Sequence, residues 1–189
     1  RTQTQKLLDP YGRLLKVEEV LSEHEMHTTT YAYDALGNLT QVTDANGNTT
    51  RIAYDSLGRK LSMDDPDMGH WSYAYDDVDN LLSQTDARGV ATSFEYDALN
   101  RLTRKSYSAQ QPAVSYQYDQ PALGKLTAVT DGTGSSSFNY DHLGRLTRET
   151  KTLDGTTSTI QRAYDLLGRL TRLTYPDGDA ATYTYNLQG

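Results

Sequence analysis

Bulky side chains recur along the chain in pairs spaced two residues apart: Tyr31 and Tyr33, Ile52 and Tyr54, Tyr73 and Tyr75, Phe94 and Tyr96, Tyr116 and Tyr118, Phe138 and Tyr140, Tyr183 and Tyr185. A spacing of two puts both members of a pair on one face of a strand. Each pair runs into an aspartate and a turn, and a returning segment rich in threonine, valine and leucine follows. Leu39-Thr40-Gln41-Val42-Thr43 and Leu126-Thr127-Ala128-Val129-Thr130 are of this kind, suited to a half-buried pleated surface. A second turn signal falls midway between the pairs, at Asp44-Ala45-Asn46-Gly47, Asp86-Ala87-Arg88-Gly89, Asp131-Gly132-Thr133-Gly134, Asp154-Gly155 and Asp177-Gly178. Two turns per period predict two short strands per period.

The period itself is tight. Tyr33, Tyr54, Tyr75 and Tyr96 stand 21 residues apart, and steps of 22, 22, 24 and 21 lead to Tyr118, Tyr140, Tyr164 and Tyr185. The unit reads Tyr-Asp-x-x-Gly-x-Leu, as in Tyr33-Asp34-Ala35-Leu36-Gly37-Asn38-Leu39 and Tyr140-Asp141-His142-Leu143-Gly144-Arg145-Leu146, with a worn copy at Leu8-Asp9-Pro10-Tyr11-Gly12-Arg13-Leu14. Copies start near residues 8, 33, 54, 75, 96, 118, 140, 164 and 185, so residues 1–189 read as one array. A fixed period of this kind means one supersecondary unit was copied, and each copy depends on its neighbours for its packing. The last copy stops at its glycine and the first residue is Arg1, which reads as a fragment of a longer chain.

Within each copy the turn carries a restricted choice of residues. Asp34 is followed by Gly37, Asp55 by Gly58, Asp76 by Asp79, Asp97 by Asn100, Asp141 by Gly144 and Asp165 by Gly168; Asp119 reaches Gly124 past the inserted Gln120-Pro121. Glycine, asparagine and aspartate are the residues that tolerate positive φ. The pattern predicts a type I turn closed by a left-handed residue in a three-residue hairpin loop with a bulge, the aspartate carboxylate capping the amide two residues on. These aspartates and glycines are expected to be structural. Only residues 16–23 depart from the strand pattern, because their apolar positions also fall at helical spacing, and both a short helix and a long hairpin remain open there.

Composition narrows the architecture further. Hydrophobic residues make up 36% of the chain, too few for a two-layer core, and 15 tyrosines stand against 2 phenylalanines. The expected fold is all-β: tandem antiparallel hairpins forming a curved, spiralling single-layer sheet of about fifteen strands. A formal charge of −7 and the lack of any Lys/Arg cluster argue against nucleic acid, and no apolar run approaches a membrane span. With no cysteine there is no disulfide or thiolate chemistry.

Candidate chemistry is sparse. His24-Glu25-Met26-His27 with Glu23 has two histidines that could hold zinc on a helix, but it marks no third ligand and is weighed against a solvated hairpin. Asp44, Asn46 and Asn48 have calcium-loop spacing with Asp55 twelfth, yet Thr49 stands where that loop requires glycine. The acidic runs Asp64-Asp65-Pro66-Asp67 and Asp76-Asp77-Val78-Asp79 coincide with turn positions of the repeat rather than breaking it, against an enzymatic reading. One segment stands apart: residues 64–70 read as a longer, odd loop whose Asp67 and His70, with Trp71, form a candidate contact surface. No phosphate loop, cofactor fingerprint or nucleophile–base order is present, so neither a cofactor nor a metal is expected.

The repeat Tyr-Asp-x-x-Gly-Arg-Leu, with its second Asp/Gly turn and an aromatic two residues before the next Tyr-Asp, resembles the YD repeat of the Rhs family from Leu8 to Gly189. That family includes bacterial polymorphic toxins, cocoon-forming subunits of insecticidal toxin complexes, wall-associated bacterial proteins and teneurins. The resemblance implies a hollow β-shell, secreted or at the bacterial surface, whose partners are the rest of the shell and an enclosed effector polypeptide. It further implies structural roles for the turn residues and for Tyr33, Tyr54, Tyr75, Tyr96, Tyr118, Tyr140, Tyr164 and Tyr185. The family's Asp-Pro-x-Gly-Leu autoprotease motif is not matched by Asp9-Pro10-Tyr11-Gly12-Arg13 or Asp65-Pro66-Asp67-Met68-Gly69, so no autoproteolysis is assigned. The rival expectation is an extracellular module binding carbohydrate or protein through exposed rings. Either way, the strip by itself is expected to associate through its open edges.

Overall fold

The computed structural model describes residues 3–22 and 25–186, which form seventeen strands and their turns, with no helix among them. Contacts divide the chain into two compact units, Arg1–Thr92 and Ser93–Gly189, with the boundary inside one strand. The first unit is an antiparallel meander of β1 (Gln3–Leu8), β2 (Leu14–Ser22), β3 (Glu25–Tyr33), β4 (Leu39–Thr43), β5 (Thr49–Tyr54), β6 (Lys60–Asp65), β7 (Gly69–Tyr75) and β8 (Leu81–Thr85), each paired with the next. β9 (Ala91–Tyr96) carries the boundary. The second unit continues in the same manner through β10 (Leu102–Tyr107), β11 (Val114–Tyr118), β12 (Leu126–Thr130), β13 (Gly134–Tyr140), β14 (Leu146–Leu153), β15 (Thr156–Tyr164), β16 (Leu170–Thr174) and β17 (Ala180–Thr182).

Residues 16–22 are strand, not helix, because β2 pairs with β3 in a long hairpin that sets Lys16 opposite Thr30 and Val20 opposite Met26. Val17 faces Thr29 in this register, and β-branched cross-strand pairs of this type favour the sheet over a solitary amphipathic turn of helix. Glu23 and His24, half of the zinc candidate, lie outside the described residues.

The hairpins that follow Tyr33, Tyr54, Tyr75, Tyr118, Tyr140 and Tyr164 share one irregularity. Ala32 pairs with Gln41 but Tyr33 with Leu39, leaving Thr40 unpaired as a bulge. The same slip leaves out Thr127 between Gln117↔Ala128 and Tyr118↔Leu126, and Thr147 between Asn139↔Arg148 and Tyr140↔Leu146. A bulge frees the opposing carbonyl from the ladder. At four copies a threonine in this place answers it: Thr40, Thr103, Thr127 and Thr147 donate their hydroxyls to the carbonyls of Ala32, Glu95, Gln117 and Asn139 at 3.1–3.2 Å, whereas Leu61 and Leu82 stand there after Tyr54 and Tyr75.

The two sheet faces differ in the way the alternation demands. Tyr31 and Tyr33 are half-buried while Thr30 before them and Ala32 between them are exposed, and β13 and β15 repeat the pattern. No hydrophobic side chain among the described residues is fully buried; the buried ones are Thr92 and Thr127. A single layer has no second sheet to cover its rings, so the packing that holds it together must come from neighbouring hairpins.

Candidate functional site

The repeated junction between one hairpin and the next concentrates the chain's charged and aromatic groups. It is built first from the turn. In the Tyr140-Asp141 hairpin, the Asp141 amide donates to the Arg145 carbonyl at 3.0 Å and the Gly144 amide to the Asp141 carbonyl at 2.9 Å. One carboxylate oxygen of Asp141 accepts from the amides of Leu143 (2.9 Å) and Arg145 (3.0 Å), and the other accepts from Arg145 Nε at 2.6 Å. Asp9, Asp55, Asp97 and Asp165 repeat the arrangement with Arg13, Arg59, Arg101 and Arg169. Asn38 and Asn80 replace arginine opposite Asp34 and Asp76. The residue closing each turn has positive φ: Gly37 91°, Gly58 78°, Asp79 69°, Asn100 59°, Gly124 71°, Gly144 76° and Gly168 83°.

These hydrogen bonds favour ionised carboxylates. The Arg101 side chain, with backbone donors behind it, lowers the Asp97 pKa, and Arg169 does the same for Asp165. At Asp141 the Arg145 amide contributes most to the lowering. Asp119 goes furthest, to about 2, because Arg101 also reaches across to it with bonds of 3.0 and 2.5 Å while Gly124 N donates at 2.7 Å.

The arginine that closes one turn then clamps the next copy. Arg145 lies over the Tyr164 ring, 4.9 Å from its centre, and donates to the Asp165 carbonyl at 2.9 Å. Arg59 does so with Tyr75 (5.2 Å) and the Asp76 carbonyl (2.7 Å). Arg13 covers Tyr33, Arg101 covers Tyr118 and Arg169 covers Tyr185 at 4.4–4.9 Å, and Lys125 takes the place above Tyr140. From beneath, the tyrosine hydroxyl reaches back: Tyr33, Tyr118, Tyr140, Tyr164 and Tyr185 donate to the carbonyls of Leu14, Leu102, Leu126, Leu146 and Leu170 at 2.7–3.0 Å. These five rings are thus each held between a basic side chain and the first strand residue of the preceding copy.

The other candidates resolve into turn chemistry. Asp44 spends its carboxylate on the amides of Asn46 and Asn48 and on the Asn48 side chain, the bonds of a hairpin turn. Residues 64–70 are not a long loop: Asp64 and Asp65 end β6, Gly69 begins β7 at a φ of 73°, and only residues 66–68 turn. Asp65 accepts from the Asp67 and Met68 amides, so the tight turn is closed by the same carboxylate device as the others. His70 Nδ1 lies 2.7 Å from Asp64 Oδ1, and Trp71 Nε1 donates to the Met68 carbonyl. Neither the arginine clamp nor the bulge threonine was read from the sequence, although Gly-Arg-Leu-Thr recurs at residues 144–147 and 168–171.

An array of hairpins closed by Tyr-Asp turns and clamped copy to copy defines a tandem β-hairpin repeat protein. The chain belongs to the RHS repeat family: the model described as RHS Repeat matches residues 9–49, 33–67, 75–112 and 121–157. No curated protein matches it in sequence. Its fold is similar to solved structures. One is a TcdB2-TccC3 structure without the hypervariable C-terminal region, at TM-score 0.72 and 19% identity, covering 96% of this chain and 12% of that one. Another is TcdB2-TccC3-TEV, at TM-score 0.71 and 19% identity over 95% of this chain and 12% of that one. A third is a mutant Tc holotoxin pore of Photorhabdus luminescens, at TM-score 0.70 and 20% identity, with 94% of this chain covered and 11% of the other. The chain therefore spans about an eighth of the length of the chains it resembles.

Proposed function

We propose that this chain is a non-catalytic wall segment of a secreted or surface-exposed bacterial Rhs shell that encloses an effector polypeptide. The observation that carries this reading is the copy-to-copy clamp. Ring, arginine and turn aspartate of successive hairpins satisfy one another, so a strip can be lengthened indefinitely without a buried core. That property suits a thin wall around a volume. The carboxylates that might act as acids or bases are instead committed to turn amides and arginines. Tyr33, Tyr118 and their counterparts are the wall's fastenings, and Asp34, Gly37 and their counterparts its corners. Rings held between hairpins, rather than presented as a platform, favour the wall over a carbohydrate-binding surface.

The test is limited proteolysis of the intact gene product. A wall predicts that polypeptide encoded with the repeats resists protease until the shell is opened by denaturant. An associated effector digested as fast as its free form overturns the enclosure, and saturable glycan binding by the repeats would favour the adhesion reading.

A further inference from the structure

In a meander, alternate turns lie along opposite edges, so within each unit the Tyr-Asp turns share one edge and the intervening turns the other. Immediately before the left-handed residue, the Tyr-Asp turns carry Tyr11, Leu36, Leu57 and Val78 in the first unit and Leu99, Leu123, Leu143 and Leu167 in the second. All eight are exposed, from 59% at Val78 to 85% at Leu123. The matching places on the other edge hold Asn46, Arg88 and Asp177, with Met68 and Leu153 the apolar exceptions. One edge is apolar at every tip and the other is mainly polar.

The turn does not require this choice. What the position contributes locally is its backbone amide, donated to the turn aspartate at 2.9 Å by Leu36, Leu57, Leu99, Leu143 and Leu167. Serine or asparagine supplies the same amide and is favoured in turns. A single exposed leucine is ordinary, but an uninterrupted row marks a surface that becomes covered.

We propose that this apolar edge is an interaction surface for the same edge of a second copy of this chain. Successive tips sit two strands apart, about 10 Å at the usual strand spacing. A partner meets every tip only if it carries the same period, and this edge is such a surface. A two-fold arrangement that sets row against row is self-complementary and closed. Charge permits it at five of the eight tips, where Asp9, Asp55, Asp97, Asp141 and Asp165 are paired in place with Arg13, Arg59, Arg101, Arg145 and Arg169, while Asp34 and Asp76 have neutral asparagine partners. The inference extends the wall reading from contacts along a strip to contacts between strips, and its test needs no enclosed effector.

Sedimentation velocity of the 189-residue chain over a wide concentration series decides it, with circular dichroism as a control for folding. The expected result is dimerisation of the wild type. Combining Leu36→Ser, Leu57→Ser, Leu143→Ser and Leu167→Ser should raise the concentration for half-association by about tenfold or more. Asn46→Ser with Met68→Ser and Arg88→Ser, on the other edge, should leave it unchanged. A wild type that stays monomeric throughout, or a tip variant that associates like the wild type, overturns the proposal. Loss of the β signature in the tip variant also overturns it, by showing that the tips support the single chain's own fold.

Discussion

Gly168 closes its turn at a φ of +83°, with open space where a Cβ would lie apart from Arg145 Nη1 at 3.9 Å. Substitution there meets backbone strain rather than a clash. Gly168→Ala should lower unfolding stability by roughly 1–2 kcal/mol, whereas Asn100→Gly, at a φ of 59°, should stay within about 0.5 kcal/mol of wild type or gain. Chemical denaturation of the two variants side by side checks both. The carboxylates give a second residue-scale prediction. The folded Asp119 pKa is held at about 2 against an ordinary 3.8, so its contribution to stability is complete above pH 3.8 and is lost as pH falls through about 2. Asp34, Asp55, Asp97, Asp141 and Asp165 are lowered in the same direction and add to the slope. The thermal midpoint should fall over that acid window, and less steeply in Arg101→Gln, which withdraws the main cause of the Asp119 shift.

At the scale of the element, the hairpin depends on what the preceding hairpin extends toward it. A double-mutant cycle between Arg145→Met and Tyr164→Leu should show a coupling of about 0.5–1 kcal/mol, as expected for a guanidinium over a ring at a partly exposed site. Between Arg145 and the ring of Tyr140, in its own copy, the same cycle should show little. The bulge offers a sharper case. Thr127 is 5% exposed and its hydroxyl is bonded to the Gln117 carbonyl, so Thr127→Val leaves that carbonyl without its partner. A loss of about 1–3 kcal/mol is expected, restored by Thr127→Ser. Thr103→Val, where the bond to the Glu95 carbonyl is exposed and water can substitute, should cost less.

For the whole molecule, the absence of fully buried apolar side chains among the described residues sets the balance. Folding a strip of half-covered rings removes less apolar surface per residue than folding a two-layer domain, and the isolated chain should be marginally stable. Anything that covers its free surfaces therefore stabilises it by mass action. The thermal midpoint of the wild type is expected to rise with protein concentration, and moderate salt should strengthen association by screening the net charge of −7. Truncating a single ring, as in Tyr96→Ala, should cost less than the 2–4 kcal/mol typical of a core site, because the ring gives up a half-buried position rather than an enclosed one.

The sequence by itself determined the period, the two turns per copy, the strand alternation and the positive-φ positions, because each depends on residues within a few places of one another. An aspartate and a glycine three residues apart carry a turn in their own covalent geometry. The tertiary structure alone decided what lies about one period away, that Arg145 reaches Tyr164 and that the Tyr164 hydroxyl reaches Leu146, and, across a hairpin, that Thr147 answers a carbonyl released by a register slip. It also separated the two roles of leucine, since Leu146 lies half-covered in a strand while Leu143, three residues before it, stands exposed at a tip. Residues 16–22 show the same division: their spacing suits a helix as well as a strand, and pairing with β3 settled it. Hydropathy records what a side chain prefers; which neighbour meets it depends on pairing register, and register exists only once the hairpins are laid side by side.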